Sequence, residues 1–163
     1  MDTWTNTLLI GVGATALTDL WALARRRLLH VPPPDYALVG RWIAHMRHGR
    51  FRHAAIAAAA PVRHERAIGW TAHYLVGIGF AALLPLAFGT GWLRQPALWP
   101  AIAIGIGTVA APFLLMQPGM GAGVAASRTS RPARARMHSL LTHLVFGFGL
   151  YASALLLAQL TAR

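Results

Sequence analysis

A chain of 163 residues with 56% apolar content and positive mean hydropathy suits lipid rather than water, because a soluble domain of this size could not hide so much apolar side chain. The absence of cysteine removes disulfides, thiolate metal sites and thiol catalysis. All fifteen basic residues are arginine and only Asp2, Asp19, Asp35 and Glu65 are acidic, so the net charge of +11 calls for an anionic neighbour whose nature depends on where the arginines fall.

Four stretches, 4–24, 67–89, 97–116 and 139–160, carry little or no charge over the ~20 residues that a hydrocarbon core of ~30 Å requires of a helix. They predict an all-α, polytopic membrane protein forming one membrane domain over 1–163, with cytoplasmic loops at 25–66 and 117–138. The first stretch lacks a basic leader region and contains Asp19, so it reads as a retained span rather than a signal peptide. Nine arginines separate spans one and two, and Arg128, Arg131, Arg134 and Arg136 separate three and four, against Arg94 and Arg163 on the other side. This bias predicts a multi-pass protein of the bacterial inner membrane with both termini and the 90–96 turn away from the cytoplasm. The arginines flank spans and are not interleaved with stacking aromatics on a soluble module, which points to anionic headgroups and away from nucleic acid.

Within the first loop, Pro32, Pro33 and Pro34 stop the preceding helix, and Asp35 is placed to cap a new one running to about His48 and ended by Gly49. Leu38, Trp42 and Met46 recur at i+4 on that helix, while Arg41, His45, Arg47 and His48 take its other faces. An arginine-rich amphipathic helix suits the lipid surface, and Arg41, Arg47, Arg50 and Arg52 are its candidate headgroup ligands. The alanine run 54–60 predicts a second short helix ending at Pro61. His45, His48 and His53 could suggest a metal site outside the spans, but His45 and His48, at i+3 on an arginine-rich helix, are expected to be solvated or to touch lipid phosphates, and the adjacent pair His64 and Glu65 is expected to be solvated.

The spans look duplicated. Span one carries Gly11-Val-Gly13-Ala-Thr15 and span three Gly105-Ile-Gly107-Thr108, while spans two and four share H-x-x-x-G-x-G from His73 and from His143, seventy residues apart. The units would be helix pairs related by an axis along the membrane normal. Counting inward from the flanking arginines at ~1.5 Å per residue, Asp19, His73 and His143 all lie ~9–10 Å deep, and Gln117 ends span three, so the four would share one inner-leaflet polar layer. An ionisable group costs on the order of 3 kcal/mol there and invites a functional explanation.

Gly77 and Gly147 lie one turn from their histidines, on the same helix face. One reading is close helix approach, with each imidazole hydrogen-bonding across the contact. The sharper one is a cavity in which Asp19, His73, Gln117 and His143, with Gly77 and Gly147 making room, bind a small solute, a proton or a divalent metal. Metal ligation by His73, His143 and Asp19, and bis-histidine haem ligation by the two imidazoles, both follow from that geometry. Four helices enclose little room, so transport would need a homodimer. A redox enzyme and an accessory scaffold are the rival classes. The glycine-rich Met116–Gly123 segment follows no strand and lacks a P-loop lysine, so it reads as a flexible turn rather than a phosphate cradle.

Gly40-Arg-Trp-Ile-Ala-His45, Gly69-Trp-Thr-Ala-His73-Tyr, Ala111-Pro-Phe-Leu-Leu-Met116-Gln-Pro-Gly119-Met-Gly121-Ala-Gly123 and the run from His143 to Tyr151 together resemble a bacterial family of membrane proteins catalogued as a domain of unknown function. The likeness spans nearly the whole chain. It implies a four-pass protein and brings no activity with it.

Overall fold

The computed structural model describes residues 2–161; Arg163, counted in the charge bias, lies outside them. Helices occur without strands among these residues. Four of them, Thr3–Leu29, Glu65–Phe88, Leu98–Met120 and Pro132–Thr161, are long and apolar enough to cross a membrane, so the chain is a multi-pass membrane protein as its hydropathy predicts. Packing divides it into two compact units: Met1–Pro33 with Tyr74–Thr108 and Leu141–Arg163, and Pro34–His73 with Val109–Leu140.

Helix α1 (Thr3–Leu29) starts at Asp2, whose side chain accepts the N–H groups of Trp4 (3.0 Å) and Thr5 (2.9 Å). These bonds, with that of the Thr5 hydroxyl, hold the Asp2 carboxyl below its usual range. The helix runs past its expected end at residue 24 because Arg25 does not stop it: its side chain is buried, with the guanidinium 5.7 Å from the Trp21 ring. His30 closes it in the left-handed conformation, ahead of the three prolines.

Helix α2 (Tyr36–Met46) is capped by Asp35, which accepts the Ala37 N–H (3.0 Å), as the sequence predicts. The alanine run does not form a helix beyond one 3-10 turn, Ile56–Ala58. Seven residues are too few to nucleate a stable helix alone, and the carbonyls of Ile56, Ala57 and Ala59 accept hydrogen bonds from Arg41 Nη1 instead. Helices α3 (Glu65–Phe88) and α4 (Gly91–Arg94) follow.

The third span departs from a plain helix. Helix α5 (Leu98–Gly107) gives way at Thr108 to a π-type turn, Pro112–Met116, and resumes as α6 (Gln117–Met120). Pro112 removes the N–H that the Thr108 carbonyl would receive and crowds it, which loosens the helix at that level. Span three therefore ends four residues beyond its expected end at 116. Helix α7 (Pro132–Thr161) completes the chain. In the first unit Ile10, Ala14, Ala81, Leu84, Ala101, Phe146, Leu150 and Ala154 are buried together, alternating small and large side chains as close helix packing requires.

Candidate functional site

In the first unit the repeated glycines meet across helices. A Cβ on Gly105 of α5 would stand 2.5 Å from the Gly147 Cα of α7 and 2.7 Å from the His143 carbonyl oxygen. One on Gly11 of α1 would stand 2.6 Å from the Ile78 Cα of α3, and one on Gly77 would strike the Thr15 hydroxyl. Motif glycines thus bring α1 against α3 and α5 against α7, and Gly13 against Ser153 and Gly149 against Ala14 bring α1 against α7 as well, so the close contacts are not confined to the expected helix pairs. The space beside Gly77 and Gly147 is filled by Thr15 in one case and by backbone at Ala101, Ile102 and Gly105 in the other. This overturns the cavity expected there, because a glycine on a helix contact lets the partner backbone in and leaves nothing for a ligand.

The polar residues divide in the same way. Thr108 Oγ1 donates to the Gly105 carbonyl (2.7 Å), so its oxygen accepts from His143 Nδ1 (3.0 Å), and Gly105 O also lies 3.2 Å from that nitrogen. The network assigns the proton to Nδ1 and makes His143 a joint across the α5–α7 contact. Asp19 of α1 accepts from the Tyr74 hydroxyl of α3 at 2.9 Å, so an acid and a phenol join the other pair.

His73 belongs to the second unit, where its Nε2 lies 3.0 Å from the Tyr36 hydroxyl and its ring stacks on Tyr36 at 4.3 Å. Trp70 lies 4.5 Å from Tyr36 and meets the His73 ring edge-on at 5.8 Å, so three mutually touching rings hold the start of α2 on α3. Gly40 and Gly69 carry the contact along: a Cβ on either would enter the other helix's backbone, at Glu65 and Tyr36 respectively. Gln117 Nε2 approaches Ser139 Oγ at 3.5 Å, and its Oε1 is buried without a hydrogen-bond partner.

Arg41 organises this unit. Its Nε and Nη2 donate to the two Glu65 carboxylate oxygens, both at 2.8 Å, while Nη1 reaches the three loop carbonyls. Bonding to Glu65 raises the guanidinium pKa above its already high value. Arg41 is therefore buried and committed, which corrects its expected role as a headgroup ligand; Arg47, Arg50 and Arg52 remain exposed. Glu65, expected in solvent, also accepts the Val62 N–H (2.9 Å). His45 is buried rather than solvated, its Nδ1 2.8 Å from His53 Nε2, while His48 stays exposed beside Arg47.

The glycine-rich segment is a built turn rather than a flexible one. The Gly119 carbonyl accepts the His53 N–H (2.9 Å), and a Cβ on Gly119 would meet the Trp42 indole at 2.6 Å. Gly121, at φ +97°, passes the Ala54 and His53 carbonyls, where the left-handed backbone and lack of space both require glycine. Trp42 Nε1 donates to the Phe51 carbonyl at 2.9 Å. The Gly121, Ala122 and Arg128 N–H groups donate to carbonyls of the segment itself, so they are not available to cradle a phosphate.

These contacts do not suit haem or a metal. Among the described residues no group of three or more His, Asp or Glu side chains could hold a metal ion, so Asp19, His73 and His143 are not gathered as ligands. His73 Nε2 is engaged by Tyr36, and both glycines that would admit a planar cofactor are filled. The Tyr36–His73, Tyr74–Asp19 and Arg41–Glu65 pairs escape sequence reasoning; the one signal for the last is that Glu65 is the sole acid among the many arginines following α2.

A family model described as "Protein of unknown function (DUF2938)" matches residues 8–157. No curated protein and no solved structure matches the chain. With the match covering nearly its whole length, the chain belongs to this family.

Proposed function

We propose that this member of the family is an accessory scaffold of the bacterial inner membrane, with closely packed spans and a basic loop that meets anionic phospholipid headgroups. The observation that carries the reading is the Arg41 fork: a two-pronged bond to Glu65 plus three carbonyls fixes the loop that bears Arg47, Arg50 and Arg52 in the open. Pre-ordering a basic loop removes an entropy cost that headgroup binding would otherwise bear. The arginine bias orients this loop to the cytoplasm and both termini outward. A carboxy-terminal reporter active only in the cytoplasm would reverse that orientation.

Native mass spectrometry of the protein from mixed phosphatidylglycerol and phosphatidylcholine checks the binding claim. The parent is expected to retain phosphatidylglycerol selectively, and R47Q/R50Q/R52Q to lose most of that selectivity, each exposed arginine contributing about 1 kcal/mol near an anionic surface. Equal retention by both proteins would remove the headgroup role.

A second reading, proton or small-solute handling through a homodimer, is favoured by the Tyr74–Asp19 bond, because an acid inside a span is costly to place without use. pH-dependent uptake in vesicles that Asp19→Asn abolishes would displace the scaffold reading.

A further inference from the structure

The loop after α2 ends in a feature that headgroup charge alone does not explain. Phe51 is 60% exposed, although it lies between Arg50 and Arg52 on a backbone that is pinned on both sides. The Arg50 N–H donates to the His45 carbonyl (3.2 Å), the Phe51 carbonyl accepts from the Trp42 indole (2.9 Å), and the His53 N–H donates to the Gly119 carbonyl (2.9 Å). The His45–His53 ring contact closes the base of the tip. A loop free to fold its phenyl ring inward has no cause to display it. Here the bonds fix the backbone that carries the ring, and the ring stands exposed.

Its level follows from the opening turns of α3, where the span Glu65–Phe88 begins. Helix α2 is clamped to the opening turns of α3 by Gly40 against Gly69 and by Tyr36 against His73, and α3 continues as a span. Trp70 and Arg66 lie on those turns, the residue types that mark the headgroup zone. The tip therefore leaves a helix clamped to the end of a span, and the end of a span is where acyl chains meet headgroups. An aromatic ring flanked by two guanidinium groups matches that boundary: the ring has apolar depth to enter and the cations have phosphates to meet.

We propose that Arg50-Phe51-Arg52 is an interfacial anchor that inserts the Phe51 ring into the leaflet bearing anionic lipid, with Arg50 and Arg52 on its phosphates. This rests on the headgroup reading above and adds to it a depth and a residue.

The chain has no cysteine, so Phe51→Cys gives a unique, exposed attachment point for a nitroxide. In vesicles containing phosphatidylglycerol the label should collide more with oxygen than with a water-soluble nickel chelate. Adding Arg50→Gln and Arg52→Gln to the labelled chain should reverse that preference. A label that stays aqueous in these vesicles overturns the anchor even if the arginine triple variant loses phosphatidylglycerol, a combination that leaves the headgroup reading intact. A label equally deep without the arginines, or in pure phosphatidylcholine, overturns the assigned role of the flanking cations.

Discussion

Gly105→Ala is expected to be among the most damaging single-methyl changes in the first unit. The added carbon would stand 2.5 Å from the Gly147 Cα and 2.7 Å from both the Gly147 nitrogen and the His143 carbonyl, and all three are backbone atoms that cannot rotate aside. The α5–α7 pair must then separate, stretching the Thr108 and His143 hydrogen bonds that share this contact. Overpacking of this kind costs about 3 kcal/mol, the upper end of the usual range, because there is no flexible side chain to absorb it. Gly79→Ala is the control from the same sequence motif. Nothing lies within 4 Å of a Cβ there, so the change should be neutral or stabilise by up to about 1 kcal/mol through the unfolded state. Unfolding midpoints in one detergent check both. Equal losses from the two substitutions would mean that the motif glycines matter for some reason other than helix contact.

Arg41→Gln is expected to loosen the second unit while the spans stay helical. It removes both donors from the Glu65 carboxylate and frees the Ile56, Ala57 and Ala59 carbonyls together, so a half-enclosed anion and a string of backbone acceptors lose their partner at once. Hydrogen exchange over residues 53–62 should accelerate by about ten-fold or more as local opening becomes easier. Arg41→Lys should rescue little of this, since a single ammonium cannot grip two carboxylate oxygens and turn a third nitrogen to the loop. Arg47→Gln, on an exposed side chain, should leave the exchange pattern unchanged. Protection unaltered by Arg41→Gln would show that the loop is held by other contacts.

Much of the fold was legible in the sequence because hydropathy and punctuation residues act locally. Apolar runs located all four spans, and Asp35 with the prolines before it located the start of α2. The alanine run misled because helix propensity was outweighed by a distant guanidinium that bonds its carbonyls. Pro112 was visible, but the π-type turn depends on how the freed Thr108 region settles, which no local pattern encodes. The candidate site was less legible. The repeated His and Gly positions are visible and are compatible with close helix contact, yet a glycine looks the same in sequence whether it faces a cavity or a neighbouring backbone. The partners Tyr36 and Tyr74 are not legible because tyrosines 38 residues apart carry no periodic signal linking them to His73 and Asp19.

The most direct test of whether the motif imidazoles are joints rather than ligands compares His143→Asn with His143→Leu. An asparagine amide occupies the place of Nδ1 and can still donate toward Gly105, but it has nothing at the position of Nε2, through which a metal or solute would bind. Leucine removes both. For a joint, the Asn variant should unfold at the parent's midpoint and the Leu variant should lose about 1 kcal/mol, as interhelical hydrogen bonds in membranes do. A Leu variant as stable as the parent would contradict this, as would an Asn variant as damaged as the Leu one.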